Sequence, residues 1–301
     1  MADVVVNRKR QKGDPPQWRI VLENGQLMRT VVDAVGTVMS RVSFKVERVD
    51  DAAYLMVDSA DVAFMCCVSA RLRLDKVTFP ENEDTFNFCV DCKHVSSAID
   101  SPSCAHMPLI IEGHDSIVLV KMLDSDEQSV EVCAELPTFV EDEPVRLDDI
   151  AFALSIEIDI APLRDMIKKA RKAHTEHLRL QVFLTDTGAQ TVSTVVFSID
   201  GDWGYTQKFS HQTVKDVDGS HIVRAAAGGT AEIADSTNKR PEYEGLFPIE
   251  KVDAFLKILT VRMITAKAMN DKPIMFFFPL GGTGDDNSHI RFLLAPVNEG
   301  A

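Results

Sequence analysis

FALSIEIDIAPLRDMIKKARKAHTEHLRLQVFLT, residues 152–185, is the stretch from which the architecture of this chain can be worked out. Its first eight residues read as a strand, and LRLQVFLT at the far end reads as another. Between them, residues 161–179 read as a helix. Leu163, Met166, Ile167 and Ala170 recur at i, i+3, i+4, i+7, the spacing of an apolar stripe turned toward a core. Arg164, Lys168, Arg171 and Lys172 recur on a neighbouring face. Together with Lys169 and Arg179 they make six cations against Asp165 and Glu176, in a chain of net charge −14. A positive surface kept against the overall sign points to a phosphate-bearing partner held at one place. The plain alternative is a solvated helix face.

The rest of the composition is that of an ordinary globular protein. With 301 residues, 45% hydrophobic and 26% charged, the chain suits one large or two ordinary domains. No stretch approaches the ~20 apolar residues of a membrane span, so no membrane partner is expected. The opening MADVVVNRKRQKGDPP lacks an apolar signal core, which predicts an intracellular protein. Six cysteines, at 66, 67, 89, 92, 104 and 133, suit reduced, packed thiols better than a disulfide framework. The acidic balance argues against a protein that coats nucleic acid with its whole surface, but not against one that touches it through a single face. Arg8, Lys9, Arg10 and Lys12 read as an import signal, a DNA-contacting arm or a solubilising tail.

Working outward, the strand–helix–strand order recurs. A short strand at 18–22 precedes a helix at 25–40, with Leu27, Val31, Val35 and Val38 on one side and Arg29 off that stripe. Strand-like runs follow at 42–46, 54–57 and 62–73, then a second short helix in CVDCKHVSSAIDS, and a strand pair, LIIEG and SIVLVKML, turning at His114-Asp115. After 130–134, the acidic, proline-punctuated ELPTFVEDEPVRLDD reads as a linker. Beyond it come the quoted stretch, strands at TVVFSI and YTQKFS, a polar insertion at 214–245, a helix in FPIEKVDAFLKIL, and the strands IMFFFPL and HIRFLLAP around GGTGDDN. Each half is strand, helix, strands, helix, strands. The predicted fold class is α+β, with a basic flexible tail at 1–17, an N-terminal domain at 18–134, a linker at 135–152 and a C-terminal domain at 153–301. Two helices per half can lie on one side of an antiparallel sheet. If such halves close into a ring, the helices line the hole and no sheet edge is left exposed.

LMVDSADVAFMCCVSARL, residues 55–72, resembles the sliding DNA clamps of the proliferating cell nuclear antigen family, with Asp58, Ser59 and Val62 at the matching positions. The resemblance runs through the second helix and the strand pair. It returns at KPIM (272–275) and HIRFLLAPVNE, and covers residues 18–299 apart from the poorly matched 214–245. It implies the DNA clamp fold: two similar domains, outer antiparallel sheet and inner helices, three subunits closing into a ring around duplex DNA. A clamp is no enzyme and needs no cofactor. It holds a DNA polymerase on its template, docks other replication and repair proteins through short peptide motifs, is opened by a clamp loader, and works in the nucleus or in a viral replication compartment.

Carried over residue by residue, the resemblance gives Arg29, Lys168 and Lys257 as inner-face cations that contact phosphates, with Arg164, Lys169, Arg171, Lys172 and Lys251 as neighbours. On the second helix Ser97 and Asp100 stand where lysines are usual, leaving Lys93 as its cation. The partner-peptide pocket maps to Val57, Asp61, Val62, Val145, Leu147, Pro273, Ala295 and Pro296, with Asp61 in place of a histidine. Subunit contacts map to an edge strand at 116–122 carrying Ser116, Val118 and Val120. Its counterpart is an edge at 204–210 carrying Tyr205, Gln207 and Phe209. Two other readings stay open: one subunit of a heterotrimeric checkpoint clamp, or a monomeric viral-type processivity factor.

A third reading is a zinc or redox protein using the cysteines between 66 and 133. Cys89, Cys92 and His94 look like half a zinc site that Cys104, His106 and His114 would complete. Cys66 and Cys67 lie mid-strand and point to opposite faces, so they cannot share a metal. GGTGDDN lacks the Lys-Ser/Thr of a phosphate loop, and the carboxylates at 141–143 and Asp148-Asp149 form a linker charge run. No nucleophile–base arrangement stands out, so metal ligands and catalytic residues are both expected to be none.

Overall fold

The computed structural model describes residues 15–63, 65–100, 107–123, 130–140, 150–186, 191–199, 205–215, 221–225, 240–259, 261–270, 272–280 and 288–297. The first half runs β1 (Trp18–Leu22), α1 (Gly25–Gly36), β2 (Arg41–Val49), β3 (Ala52–Ala60), β4 (Cys66–Leu74), β5 (Lys76–Thr78), β6 (Thr85–Asp91), α2 (Cys92–Ile99), β7 (Leu109–His114), β8 (Ile117–Leu123) and β9 (Val130–Pro137). The second runs β10 (Leu154–Asp159), α3 (Ile160–Lys172), β11 (His177–Asp186), β12 (Thr191–Ile199), β13 (Tyr205–Lys215), β14 (His221–Ala225), β15 (Tyr243–Pro248), α4 (Ile249–Ile258), β16 (Met263–Ala268), β17 (Ile274–Pro279) and β18 (His289–Leu294). Among the described residues the two halves have the same order of elements. The fold is α+β with almost wholly antiparallel sheets.

Pairing repeats as well as order. β1 pairs with β7, β7 with β8 and β8 with β9, as β10 pairs with β16, β16 with β17 and β17 with β18. β2 pairs with β3 and β6, as β11 pairs with β12 and β15. The halves differ where β14 hydrogen-bonds to β13 and, in parallel, to β10. They are joined where β18 pairs with β4, Leu294 opposite Cys66 through His289 opposite Arg71. The result is a five-stranded sheet, β5-β1-β7-β8-β9, and a thirteen-stranded one running from β15 to β6 through that joint.

The helices form one row: α2 packs on α1, α1 on α4 and α4 on α3. Strand alternation turns one sheet face toward a continuous core. In β4, Cys66, Val68, Ala70, Leu72 and Leu74 are buried while their alternates are not. Phe255 of α4 is fully buried between Phe276 at 4.7 Å and Phe292 at 5.2 Å. Truncating a ring so placed costs about 3–5 kcal/mol. Trp18 stacks on Phe86 and Phe88 and lies over Gly113, its cross-strand partner, where a Cβ would come within 1.9 Å of the indole.

α1, α2 and α3 start at side-chain caps, whereas α4 starts after Pro248 without one. Asn24 accepts from the Gln26 N–H, Asp91 from those of Lys93 and His94, and Asp159 from that of Ala161. Several expectations need correcting. α1 stops at Gly36 rather than at 40, with Met28, Val31, Val32 and Val35 as its buried stripe and Leu27 and Val38 at its margin. α3 stops at Lys172 rather than at 179, which places Arg179 on β11 against Glu244 at 2.6 Å. The 214–245 stretch read as an insertion contains β14 and the start of β15, and β16 was not anticipated. Residues 116–122 are not an edge: β8 is paired on both sides, and the edge belongs to β9.

Candidate nucleic-acid interface

α3 presents Arg164, Lys168, Lys169, Arg171 and Lys172 against one carboxylate, Asp165. Its Leu163, Met166, Ile167 and Ala170 are buried as the apolar stripe requires, and this fixes the cations on the remaining faces. The basic residues of its last turn, Lys169, Arg171 and Lys172, sit where the helix macrodipole favours positive charge.

These cations are not equally available. The Arg164 guanidinium donates to the carbonyls of Leu256 at 2.8 Å and Leu259 at 2.6 Å. It caps the C-terminal end of α4, where carbonyls lack helical partners, and is structural before anything else. Arg171 hydrogen-bonds to Asp253 of α4, which also holds Lys257 at 2.9 Å. The Asp253 side chain is 14% exposed, so one nearly enclosed carboxylate ties α3 to α4 through two cations. Arg29 lies between Asp33 at 3.5 Å and Asp100 at 2.5 Å, the second on the cap that ends α2. Lys251 is held by Asp61 at 3.1 Å. Lys168 is 74% exposed with only a loose 3.7 Å approach to Asp165. Lys169 and Lys172 are exposed, and Lys172 makes no ion pair among the described residues. Among the described cations of the helix row, the least engaged are therefore Lys168 and Lys172 on α3, with Lys93 exposed at the far end of the row on α2. Asp253 is the organising group that sequence reading missed. The i,i+4 spacing of Asp253 and Lys257 was its one available signal.

The expected peptide pocket is partly assembled. Val57, on β3, is buried in the core and not at the surface. Asp61 closes the β3–β4 turn: one oxygen accepts from the N–H groups of Met65 at 2.8 Å and Cys66 at 3.2 Å, the other meets Lys251. Burial pulls the Asp61 carboxyl upward, but the Cys66 N–H, the Lys251 ammonium and the Met65 N–H outweigh it and hold it below its ordinary 3.8. Val62 at the tip is fully exposed. Ala295 donates its N–H to the Met65 carbonyl at 2.9 Å, and half-buried Pro273 and Pro296 flank the β17–β18 ends. Val145 and Leu147 lie outside the described residues.

Of the expected subunit contacts, Ser116 lies in the β7–β8 turn, while Val118 and Val120 are buried in the interior strand β8 and present no edge. β9 pairs only with β8 among the described residues. Tyr205, Gln207 and Phe209 lie on β13, in the segment 205–210 that pairs with β12 on one side and reaches β14 only from His211 onward.

Among the described residues the cysteines are not gathered into a centre. Burial pushes the Cys66 and Cys92 thiols up to about 12 each, and also raises Cys67, which disfavours the thiolate that metal binding and redox chemistry need. No group of three or more His, Cys, Asp or Glu side chains stands in metal-binding proximity among the described residues, a set that leaves out Cys104, His106 and the Cys133 side chain. No helix among them is long and apolar enough to cross a membrane. No protein-family model matches the chain, and no curated protein does either.

Proposed function

We propose that this chain is the subunit of a sliding DNA clamp: a non-enzymatic processivity factor that encircles duplex DNA and holds a polymerase and other partners on it. The observation that carries the reading is the pairing left over by the internal repeat. β18 of the second half pairs with the first six residues of β4, Cys66–Arg71. The counterparts of those strands are β9 and β13. Among the described residues β9 has one partner, and the first six residues of β13, 205–210, also have one. A second copy docking β9 against β13 would repeat the internal joint between molecules. Such a head-to-tail contact generates a ring if the rotation closes, and the resemblance to clamps makes that ring a homotrimer. The helix row, with its basic α3, then faces the channel. Phosphate contacts without base readout suit a protein that must slide.

Light scattering coupled to size-exclusion chromatography tests the assembly, with a mass about three times the 33.4 kDa of the chain expected. A monomeric mass would instead favour the viral-type factor, and a trimer only in the presence of other chains the checkpoint type. The DNA face is tested by K168E/K172E, which should keep the oligomer and lose retention on circular duplex DNA. Losing two phosphate contacts should also make the slope of log K against log salt shallower by about 2. Unchanged retention and slope would remove α3 as the DNA face.

A further inference from the structure

The sheet face opposite the helices carries a second positive site, at the β4–β18 joint. Ala70 and Leu72 of β4 point into the core, so Ser69, Arg71 and Arg73 point the other way. On β18, Arg291 stands opposite Ser69 and His289 opposite Arg71, which places Arg71 and Arg291 as diagonal neighbours across the joint. The Arg71 guanidinium carbon lies over the Tyr54 ring, 3.9 Å from its centroid, and Tyr54 is itself buried. The Nε atoms of both Arg71 and Arg291 are enclosed and without a hydrogen-bond partner. Arg73, one step along the strand, is exposed and makes no ion pair among the described residues. Among the described residues, Asp58, opposite Ser69, makes no ion pair, and Glu47 is engaged with Lys45. In a chain with 46 acidic side chains against 32 basic ones, three guanidinium groups that form no ion pair among the described residues stand together on one small area.

We propose that this joint is a phosphoryl-binding site, in which Arg71 and Arg291 grip the group from two sides with Ser69 between them and Arg73 at the rim. Two guanidinium forks and a hydroxyl offer more donors than the two oxygens of a carboxylate readily accept, and a tetrahedral phosphoryl group supplies a third oxygen. Stacking on Tyr54 fixes the Arg71 fork before any ligand arrives, which lowers the ordering cost of binding. The group reaches the site either as free phosphate or on a phosphorylated protein segment. The site is independent of the DNA face, since it lies on the opposite side of the sheet from α3.

Calorimetric titration of the full chain with inorganic phosphate, with a phosphoserine peptide and with the same peptide unphosphorylated tests this. Saturable binding of phosphate or of the phosphopeptide is expected, at one per chain, with the unmodified peptide inert. The tighter of the two identifies the source. R71K and R291K keep the charge and the fold but lose the fork, and each should weaken binding by about tenfold or more. The same titrations in K168E/K172E should be unchanged, and R291K should leave DNA retention intact. Absence of saturable binding, undiminished binding in both lysine variants, equal binding of the unphosphorylated peptide, or loss of binding in K168E/K172E would each overturn the assignment.

Discussion

His174 follows α3 in the left-handed region, at φ 51°, a conformation glycine adopts far more readily. Its N–H donates to the Arg171 carbonyl and the Thr175 N–H to that of Ala170, the paired bonds of a Schellman turn. This is why the helix stops seven residues short of the periodicity-based expectation: the usual glycine signal is missing, and the turn is made by a residue that gives no warning in sequence. His174→Gly should relieve the strain and stabilise the chain by about 0.5–1 kcal/mol, read from the denaturation midpoint. Asp61 decides a second turn. Its three stabilising contacts hold the carboxyl below 3.8, so its contribution is present above that pH and lost as pH falls through the lower folded value. Asp61→Ala should cost about 2 kcal/mol near neutrality. The difference from the parent protein should shrink as pH falls from about 4 through the lower folded value, beneath which the carboxyl is protonated in both folded and unfolded chains. A deficit that stayed constant down to pH ~2 would show that the charge is not what matters there. From sequence Asp61 was only a substitution within a resemblance; its role as a turn closure depends on Lys251, which sequence separation hides.

Among the elements, the helices were the most legible because a 3.6-residue apolar period is preserved in each, down to Leu163, Met166, Ile167 and Ala170 in α3. The strands of the second half were less so. β14 and β15 lie in a polar, glycine-containing stretch, and the pairing of β14 with β13 and β10 comes from tertiary contact that no local pattern announces. The edge strand was misplaced for a related reason: which strand ends a sheet depends on partners, and β8 alternates no differently from an edge. The α3–α4 contact shows how the basic face is moderated. Arg171 and Lys257 share Asp253, so part of the positive charge is spent within the protein. Asp253→Asn should release both cations, tighten retention on duplex DNA at low salt and steepen its salt dependence. The lost pair should cost only about 1 kcal/mol of stability, since Arg171 and Lys257 are solvent-screened. Weaker retention would mean that Asp253 orients these side chains rather than competing for them.

For the whole molecule, the repeat of element order was visible in sequence but its consequence was not. One core cluster runs from Trp18 to Leu294 without a break between the halves, and the thirteen-stranded sheet crosses the same boundary. The halves should therefore unfold together. In a W203F background, fluorescence from Trp18 and far-UV circular dichroism should give coincident denaturation midpoints, and separated midpoints would show that the β4–β18 joint is weak. That joint also has a history during synthesis. Arg73 and Ser288, hydrogen-bonded across it, are 215 residues apart in the chain. At about 5–20 residues per second the ribosome leaves β4 waiting on the order of 10–40 s for its neighbour, with its backbone unsatisfied along one side. Nascent chains of this protein are thus exposed to mispairing for most of their translation, and a holdase that shields bare strands would be expected to raise the yield of native product.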